Sequence, residues 1–237
     1  DNDDNYGAAE PPLEGGPGDD VISGLGGNDY LGGVDGDDVL DGGQGYDFIE
    51  GGTGADTLTG GADDTDTGEI FGDIFFGGTI AEFDGDTITD LGVFDRIQLA
   101  EGAVSEDFDA FLNEEGNLVL SGGGESAVIA LAGGLAPRSL AFSRQGGDAN
   151  NDLTIDFGFA ITGTEGDDNG AEGNAPSLDG GPGNDVLIGL GGNDGLYANG
   201  GNDFVSGGLG DDLIYGGSGD DDIEPTGAPG EGALGAD

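Results

Sequence analysis

A nine-residue repeat governs what this chain can fold into. From Gly15 the sequence divides into GGPGDDVIS, GLGGNDYLG, GVDGDDVLD, GGQGYDFIE and GGTGADTLT. The sixth place is always acidic (Asp20, Asp29, Asp38, Asp47, Asp56), and the eighth is always aliphatic (Ile22, Leu31, Leu40, Ile49, Leu58). The phase breaks after Gly60, where Thr65 and Thr67 fall at those two places. A second array begins at Gly180 with GGPGNDVLI, GLGGNDGLY, ANGGNDFVS, GGLGDDLIY and GGSGDDDIE. Its acids are Asp185, Asp194, Asp203, Asp212 and Asp221, and its aliphatics are Leu187, Leu196, Val205, Ile214 and Ile223. The arrays are copies of each other at an offset of 165 residues, Gly15–Gly33 against Gly180–Ala198. The match extends upstream from Asp3-Asp4-Asn5 to Asp167-Asp168-Asn169, so residue 1 is expected to open inside a repeat.

Elementary physics turns this period into geometry. A tight turn of about six residues needs positive φ, which Gly adopts without steric cost. One inward aliphatic per unit makes a thin stacked core. If two units complete one coil, units two repeats apart lie one above the other, which places Asp20, Asp38 and Asp56 in one column and Asp29 and Asp47 in another. The second array gives Asp185, Asp203 and Asp221, with Asp194 and Asp212 opposite. Carboxylates stacked this way repel unless a cation lies between them.

These units match the glycine-rich nonapeptide of RTX proteins, and the chain resembles that family across both arrays. The resemblance implies a parallel β-roll in which calcium ions join successive coils. It places the ligands on the Asp columns and on turn carbonyls at the second and fourth positions. Those positions are Gly16, Gly18, Gly27, Gly36, Gly43, Gly45, Gly52 and Gly54 in the first array. In the second they are Gly181, Gly183, Gly192, Gly201, Gly208, Gly210, Gly217 and Gly219, and Asp168 belongs to the same set. Six Asp pairings are expected: 20/38, 38/56, 29/47, 185/203, 203/221 and 194/212. Several Ca2+ ions are therefore the implied cofactor, held by oxygen ligands alone.

Composition narrows the function classes. Fifty-one acidic residues face three basic ones, for a net charge of −48. Nucleic acid and anionic lipid are excluded as electrostatic partners, since both require clustered Lys and Arg. Cys and His are absent, which removes disulfides, thiol or His-assisted nucleophiles and ordinary zinc sites. The longest apolar run, Ala127 to Ala132, is too short to insert into a membrane. A pair of acids alone can serve a glycosidase, but no aromatic or basic substrate clamp accompanies them here, and a non-catalytic role is expected.

The expected organisation is all-β: a first roll over 1–68, a small β-rich capping domain over 69–161, a second roll over 162–224, and a Gly/Pro-rich tail over 225–237. The middle segment holds ten of the twelve Phe and all three Arg. Its stretch GDTITDLGVFDRIQL (Gly85 to Leu99) is similar to the segment after the repeats in serralysin-type secreted proteins. That resemblance implies a further calcium loop with Asp86, Asp90 and Asp95 as ligands, the alternative being acids that cap turns. Asp148, Asn150 and Asp152 have calcium-loop spacing, yet Leu153 and Phe159 stand where a Gly and an acid are needed, which favours an ordinary turn.

The resulting expectation is a bacterial, extracellular calcium-binding structural module. By family resemblance it is exported by a type I pathway and folds when it meets calcium outside. A self-assembling surface-layer, matrix or filament subunit with head-to-tail contacts is favoured. The alternative is an accessory module of a larger secreted adhesin or polysaccharide-modifying enzyme.

Overall fold

The computed structural model describes residues 12–62, 72–100, 103, 105, 107–133, 137, 139–144, 153–171 and 173–224. The Asp148–Asp152 run and the 225–237 tail lie outside them. The chain forms two compact units: unit 1 is Asp1–Ala136 with Phe142–Ile155, and unit 2 is Pro137–Ala141 with Asp156–Asp237.

In unit 1 β1 (Leu13–Glu14) precedes the first nonapeptide, and each of the five nonapeptides supplies one strand: β2 (Val21–Ser23), β3 (Tyr30–Asp35), β4 (Val39–Gln44), β5 (Phe48–Thr53) and β6 (Thr57–Ala62). Odd strands stack in one parallel sheet and even strands in a second. The registers, Leu31↔Ile49 and Leu40↔Leu58, join residues two repeats apart. Side chains alternate across a strand, so only the eighth position turns inward. Leu31, Leu40, Ile49 and Leu58 are accordingly fully buried, whereas Val39 remains 42% exposed. Outside the roll, Tyr30 stacks on Phe48, and Phe48 meets Phe76 at a tilt, with ring centroids 5.0 Å apart in each pair.

The parallel stack does not stop where the nonapeptides stop. It runs on through β7 (Ile74–Gly77), β8 (Thr87–Ile88) and β9 (Arg96–Leu99), within the segment expected as a capping domain. Phe75 follows Ile49, Ile97 follows Phe75, and Ile88 follows Leu58. Asp-x-apolar survives at Asp73-Ile74-Phe75, Asp86-Thr87-Ile88 and Asp95-Arg96-Ile97, although the loops between coils lengthen. Antiparallel structure appears only afterwards, in β10 (Asp109–Leu112), β11 (Leu118–Gly122) and β12 (Glu125–Leu131). The two-residue turn Gly123-Gly124 has φ of +60° and +88°, the mirror-image turn that matches strand twist. β12 then adds to β8 in parallel, with Leu131 opposite Ile88. β13 (Ser139–Arg144) and β14 (Leu153–Gly158) cross the division between the units.

Unit 2 repeats the roll. β15 (Ala160–Thr162) begins one parallel sheet, and β16 (Leu178–Asp179) begins the other. β17 (Val186–Ile188), β19 (Phe204–Ser206) and β21 (Asp222–Glu224) follow β15, while β18 (Gly195–Tyr197) and β20 (Leu213–Tyr215) follow β16. Leu178, Leu187, Leu196, Ala198, Val205 and Ile214 fill the core, with Ile161 and Ile223 packed at its ends. Among the described residues the only helical stretch is the short 3-10 turn Ala81–Phe83. The fold is an all-β parallel roll. No helix of the described residues is long and apolar enough to cross a membrane.

Candidate metal centre

The fold stacks the sixth-position acids into columns, and one hydrogen bond repeats down each. The Asp20 N–H donates to Asp38 Oδ1 at 2.7 Å, and Asp38 N–H to Asp56 Oδ1 at 2.8 Å. The ladder continues from Asp56 to Asp86 at 2.9 Å. The opposite column runs Asp29, Asp47, Asp73 and Asp95 at 2.8, 2.8 and 2.9 Å. Unit 2 has Asp168, Asp194 and Asp212 in one column and Asp185, Asp203 and Asp221 in the other. Phe159 takes the leading place of the second column and donates its N–H to Asp185 Oδ1 at 2.6 Å.

This bond occupies Oδ1 and leaves Oδ2 to be accounted for. Oδ2 of Asp38, Asp56, Asp194 and Asp203 is buried without a hydrogen-bond partner. In Asp38 and Asp194 it packs over the first Gly of its own turn, beside the first-position carbonyl of the next coil. A methyl placed on Gly33 would lie 2.1 Å from Asp38 Oδ2 and 2.4 Å from the Gly51 carbonyl oxygen. The same two-oxygen cradle occurs at Gly15, Gly24 and Gly42 in unit 1 and at Gly163, Gly180 and Gly189 in unit 2. Seven cradles are thus described, four in unit 1 and three in unit 2.

Electrostatics make these cradles untenable as bare anions. Unit charges about 5 Å apart repel by about 3 kcal/mol at an effective dielectric near 20, and each column repeats the contact. Burial pushes Asp86 and Asp203 up to about 7, outweighing the N–H bonds they receive from Asp56 and Asp185. Burial likewise raises Asp56, Asp185 and Asp194. A buried carboxylate meets this cost by binding a proton or a cation. The donor set is oxygen only, so a hard divalent ion such as calcium fits it. Among the described residues no three acidic side chains converge, so backbone carbonyls and water would complete any coordination shell.

Five of the six pairings expected from the sequence have the complete cradle. At the sixth, 203/221, Ala198 stands where the other turns have Gly, and it is fully buried. Two further steps have it that sequence reasoning passed over, Asp47 to Asp73 and Asp168 to Asp194. Asp73 is 1% exposed and was hidden by the lengthened loop before it; its Asp-x-apolar spacing to Phe75 was the available signal. Asp86 and Asp95 do not meet in one loop, because they lie in different columns. Asp90 belongs to neither, and its carboxylate accepts the N–H groups of Gly60 and Gly61 at 3.0 and 2.8 Å.

The turn carbonyls are arranged differently from the expectation. First-position carbonyls face the carboxylates, whereas second-position carbonyls join coils: Gly200 N–H donates to Gly181 O, and Leu209 N–H to Leu190 O. Fourth-position carbonyls press on the glycine above, so a methyl on Gly45 would lie 2.1 Å from Gly27 O, and one on Gly54 1.9 Å from Gly36 O. A second ladder, also absent from the sequence reading, runs along the fifth position in the opposite sense. Asp37 N–H donates to Asp19 Oδ1, and Asn202 N–H to Asn184 Oδ1.

Among curated proteins, none matches the chain by sequence. The family described as the RTX calcium-binding nonapeptide repeat matches four times, at residues 13–38, 32–65, 177–205 and 197–225. Those stretches contain both nonapeptide arrays and six of the seven cradles, all but the one at Gly163. Both arrays, over residues 13–65 and 177–225, are therefore RTX calcium-binding nonapeptide repeats.

Proposed function

We propose that the chain is a non-catalytic, extracellular structural module that folds when calcium enters its Asp columns. The observation that carries this reading is the cradle at Gly33, where a buried, unpartnered carboxylate oxygen and a backbone carbonyl oxygen converge with no donor between them. The residues that would hold ions are the column acids with their first-position carbonyls. Asp86 and Asp95 extend the columns, and the remaining turn carbonyls complete the shells. Calcium supplies charge neutralisation there, and its binding free energy becomes folding free energy. Extracellular modules bind calcium at roughly 10⁻⁴ to 10⁻³ M, which suits a chain that stays unfolded in calcium-poor cytosol, leaves through a bacterial type I exporter and folds outside. A surface-layer, matrix or filament subunit is the role we favour. Limited proteolysis tests the reading: the chain is expected to resist cleavage in millimolar calcium and to be digested within both arrays in chelator. Equal resistance in both conditions removes the proposal.

A further inference from the structure

The turns of both rolls occur in two conformations, distinguished by the second-position N–H. In the closed form it donates to the column carboxylate of its own turn: Gly16 to Asp20 Oδ2 at 2.7 Å, Thr164 to Asp168 Oδ2 at 2.6 Å, and Gly181 to Asp185 Oδ2 at 2.7 Å. The Thr164 hydroxyl adds bonds to both Asp168 oxygens, at 3.0 and 3.2 Å. In the open form the second residue has positive φ, as at Val34 (+89°), Gly52 (+99°), Leu190 (+78°) and Asn199 (+73°). Those are the turns of Asp38, Asp56, Asp194 and Asp203, whose buried Oδ2 has no partner. Gly16, Thr164 and Gly181 have no such φ.

Residue type does not select the form. Glycine takes a positive φ without steric cost, yet Gly16 and Gly181 are closed. Leu25, Val34 and Leu190 disfavour it, Val34 most because it is β-branched, yet all three are open. Such strain persists only where the surrounding coil imposes it. The cradles divide along the same line. In the closed turns a methyl on the first residue would lie 2.8 Å (Gly15), 2.9 Å (Gly163) or 2.8 Å (Gly180) from the facing carbonyl oxygen. In the open turns the distance is 2.5 Å (Gly24), 2.4 Å (Gly33), 2.7 Å (Gly42) or 2.3 Å (Gly189). A closed turn thus supplies its carboxylate with a donor from the chain and sets the carbonyl farther back.

We infer that the seven cradles take calcium in two classes, set by the second-position peptide. The four open ones, at Gly24, Gly33, Gly42 and Gly189, take ions as the rolls fold, since their positive φ turns the N–H away from the carboxylate. The three closed ones, at Gly15, Gly163 and Gly180, have hydrogen bonds that let the coil form before an ion arrives. They accept calcium only as the second-position N–H swings off Oδ2. Giving up a hydrogen bond to a charged group weakens binding by about ten- to a hundredfold. This inference rests on the calcium reading above and adds an order of filling; the total stays at seven.

Calcium titration of the 237-residue chain, read by calorimetry and circular dichroism together, tests it. About four ions are expected to enter as β structure forms, and about three more at roughly ten- to hundredfold higher calcium with no further change in the spectrum. Gly189→Ala and Gly180→Ala each fill one cradle of unit 2, where buried Ala198 already holds a methyl at the same turn position. Gly189→Ala is expected to remove an early ion and to raise the calcium needed for folding. Gly180→Ala is expected to remove a late ion and to leave the folding midpoint unchanged. Thr164→Val, which deletes the hydroxyl on Asp168, should bring one late ion to calcium at least about threefold lower. Seven ions entering as one class overturn the inference alone. So do loss of an early ion from Gly180→Ala and an unchanged isotherm for Thr164→Val. A chain whose circular dichroism ignores calcium overturns the calcium reading and this inference with it.

Discussion

Asp56 donates its N–H to Asp86 Oδ1 at 2.9 Å across 30 residues of sequence, the same bond that Asp38 makes to Asp56 across 18 at 2.8 Å. The ladder therefore depends on the coil and not on the length of loop that closes it. Loop closure entropy grows only slowly with length, so an insertion between coils costs little if the next Asp-x-apolar unit returns to register. This is why the roll survives the loss of the nonapeptide.

Asp38→Asn separates the two roles of the column. Asn keeps the Oδ1 acceptor for Asp20 N–H but removes the buried charge. Without calcium the variant is expected to be as stable as the wild type or more so, by about 1–3 kcal/mol, since one like-charge contact on each side is gone. With calcium it is expected to be less stable and to bind fewer ions. Chemical denaturation in both conditions reads the two signs, and destabilisation by the same amount in both contradicts the assignment.

Glycine positions should differ sharply in tolerance. A methyl on Gly54 would lie 1.9 Å from the Gly36 carbonyl oxygen, at a φ of +151°, so Gly54→Ala is expected to cost at least about 1–3 kcal/mol. A methyl on Gly16 meets nothing within 4 Å, and Gly16→Ala should fall within about 0.5 kcal/mol of wild type. Thermal melts in saturating calcium compare them. Similar melts would mean that the coils are not stacked this closely.

Ala198 is the natural variant of a cradle. Ala198→Gly is expected to open the Asp203 position and to raise the calorimetric ion count by one. In calcium-free buffer the same change should lose about 0.4–1 kcal/mol through unfolded-chain entropy. An unchanged count would show that the methyl group does not obstruct the site.

Protons compete with calcium for the same oxygens. Asp86 and Asp203 titrate near 7 in the folded chain, above the 3.8 of an unperturbed Asp. A raised carboxyl favours the folded state fully below its unfolded value, and that contribution is lost as pH rises through the folded value. Calcium-free protein is therefore expected to melt higher at about pH 5 than at about pH 8. Calcium should raise the melting temperature more at the higher pH. A calcium-free melting temperature that rises with pH contradicts this electrostatic account.

Much of the fold was legible because the repeat fixes both period and chemistry. The parallel roll is what the resemblance to the RTX repeat implies, and with two units to a coil the two columns and the inward aliphatics follow from Asp at the sixth place and Ile, Leu or Val at the eighth. Asp73 was not legible in the same way, since its coil keeps Asp-x-apolar but abandons the glycine turn that sets the phase. The middle segment read as a separate cap because its Phe-rich composition differs, yet Phe75 and Ile97 occupy the same inward row as Ile49. Which carbonyl faces each carboxylate was out of reach, because the first, second and fourth turn positions are all commonly Gly and only backbone geometry distinguishes them. The fifth-position ladder escaped for a related reason: Asp19 or Asn184 beside the column acid reads as one more solvated side chain until the coils are stacked.

The central claim is that the column acids are calcium ligands whose occupation drives folding. Calorimetric titration of the chelated chain with calcium, followed in parallel by far-ultraviolet circular dichroism, tests it most directly. The account predicts cooperative gain of β structure together with uptake of about seven ions, one for each complete cradle. A β spectrum already complete in chelator, or one that forms with calcium while only one or two ions bind, would contradict it.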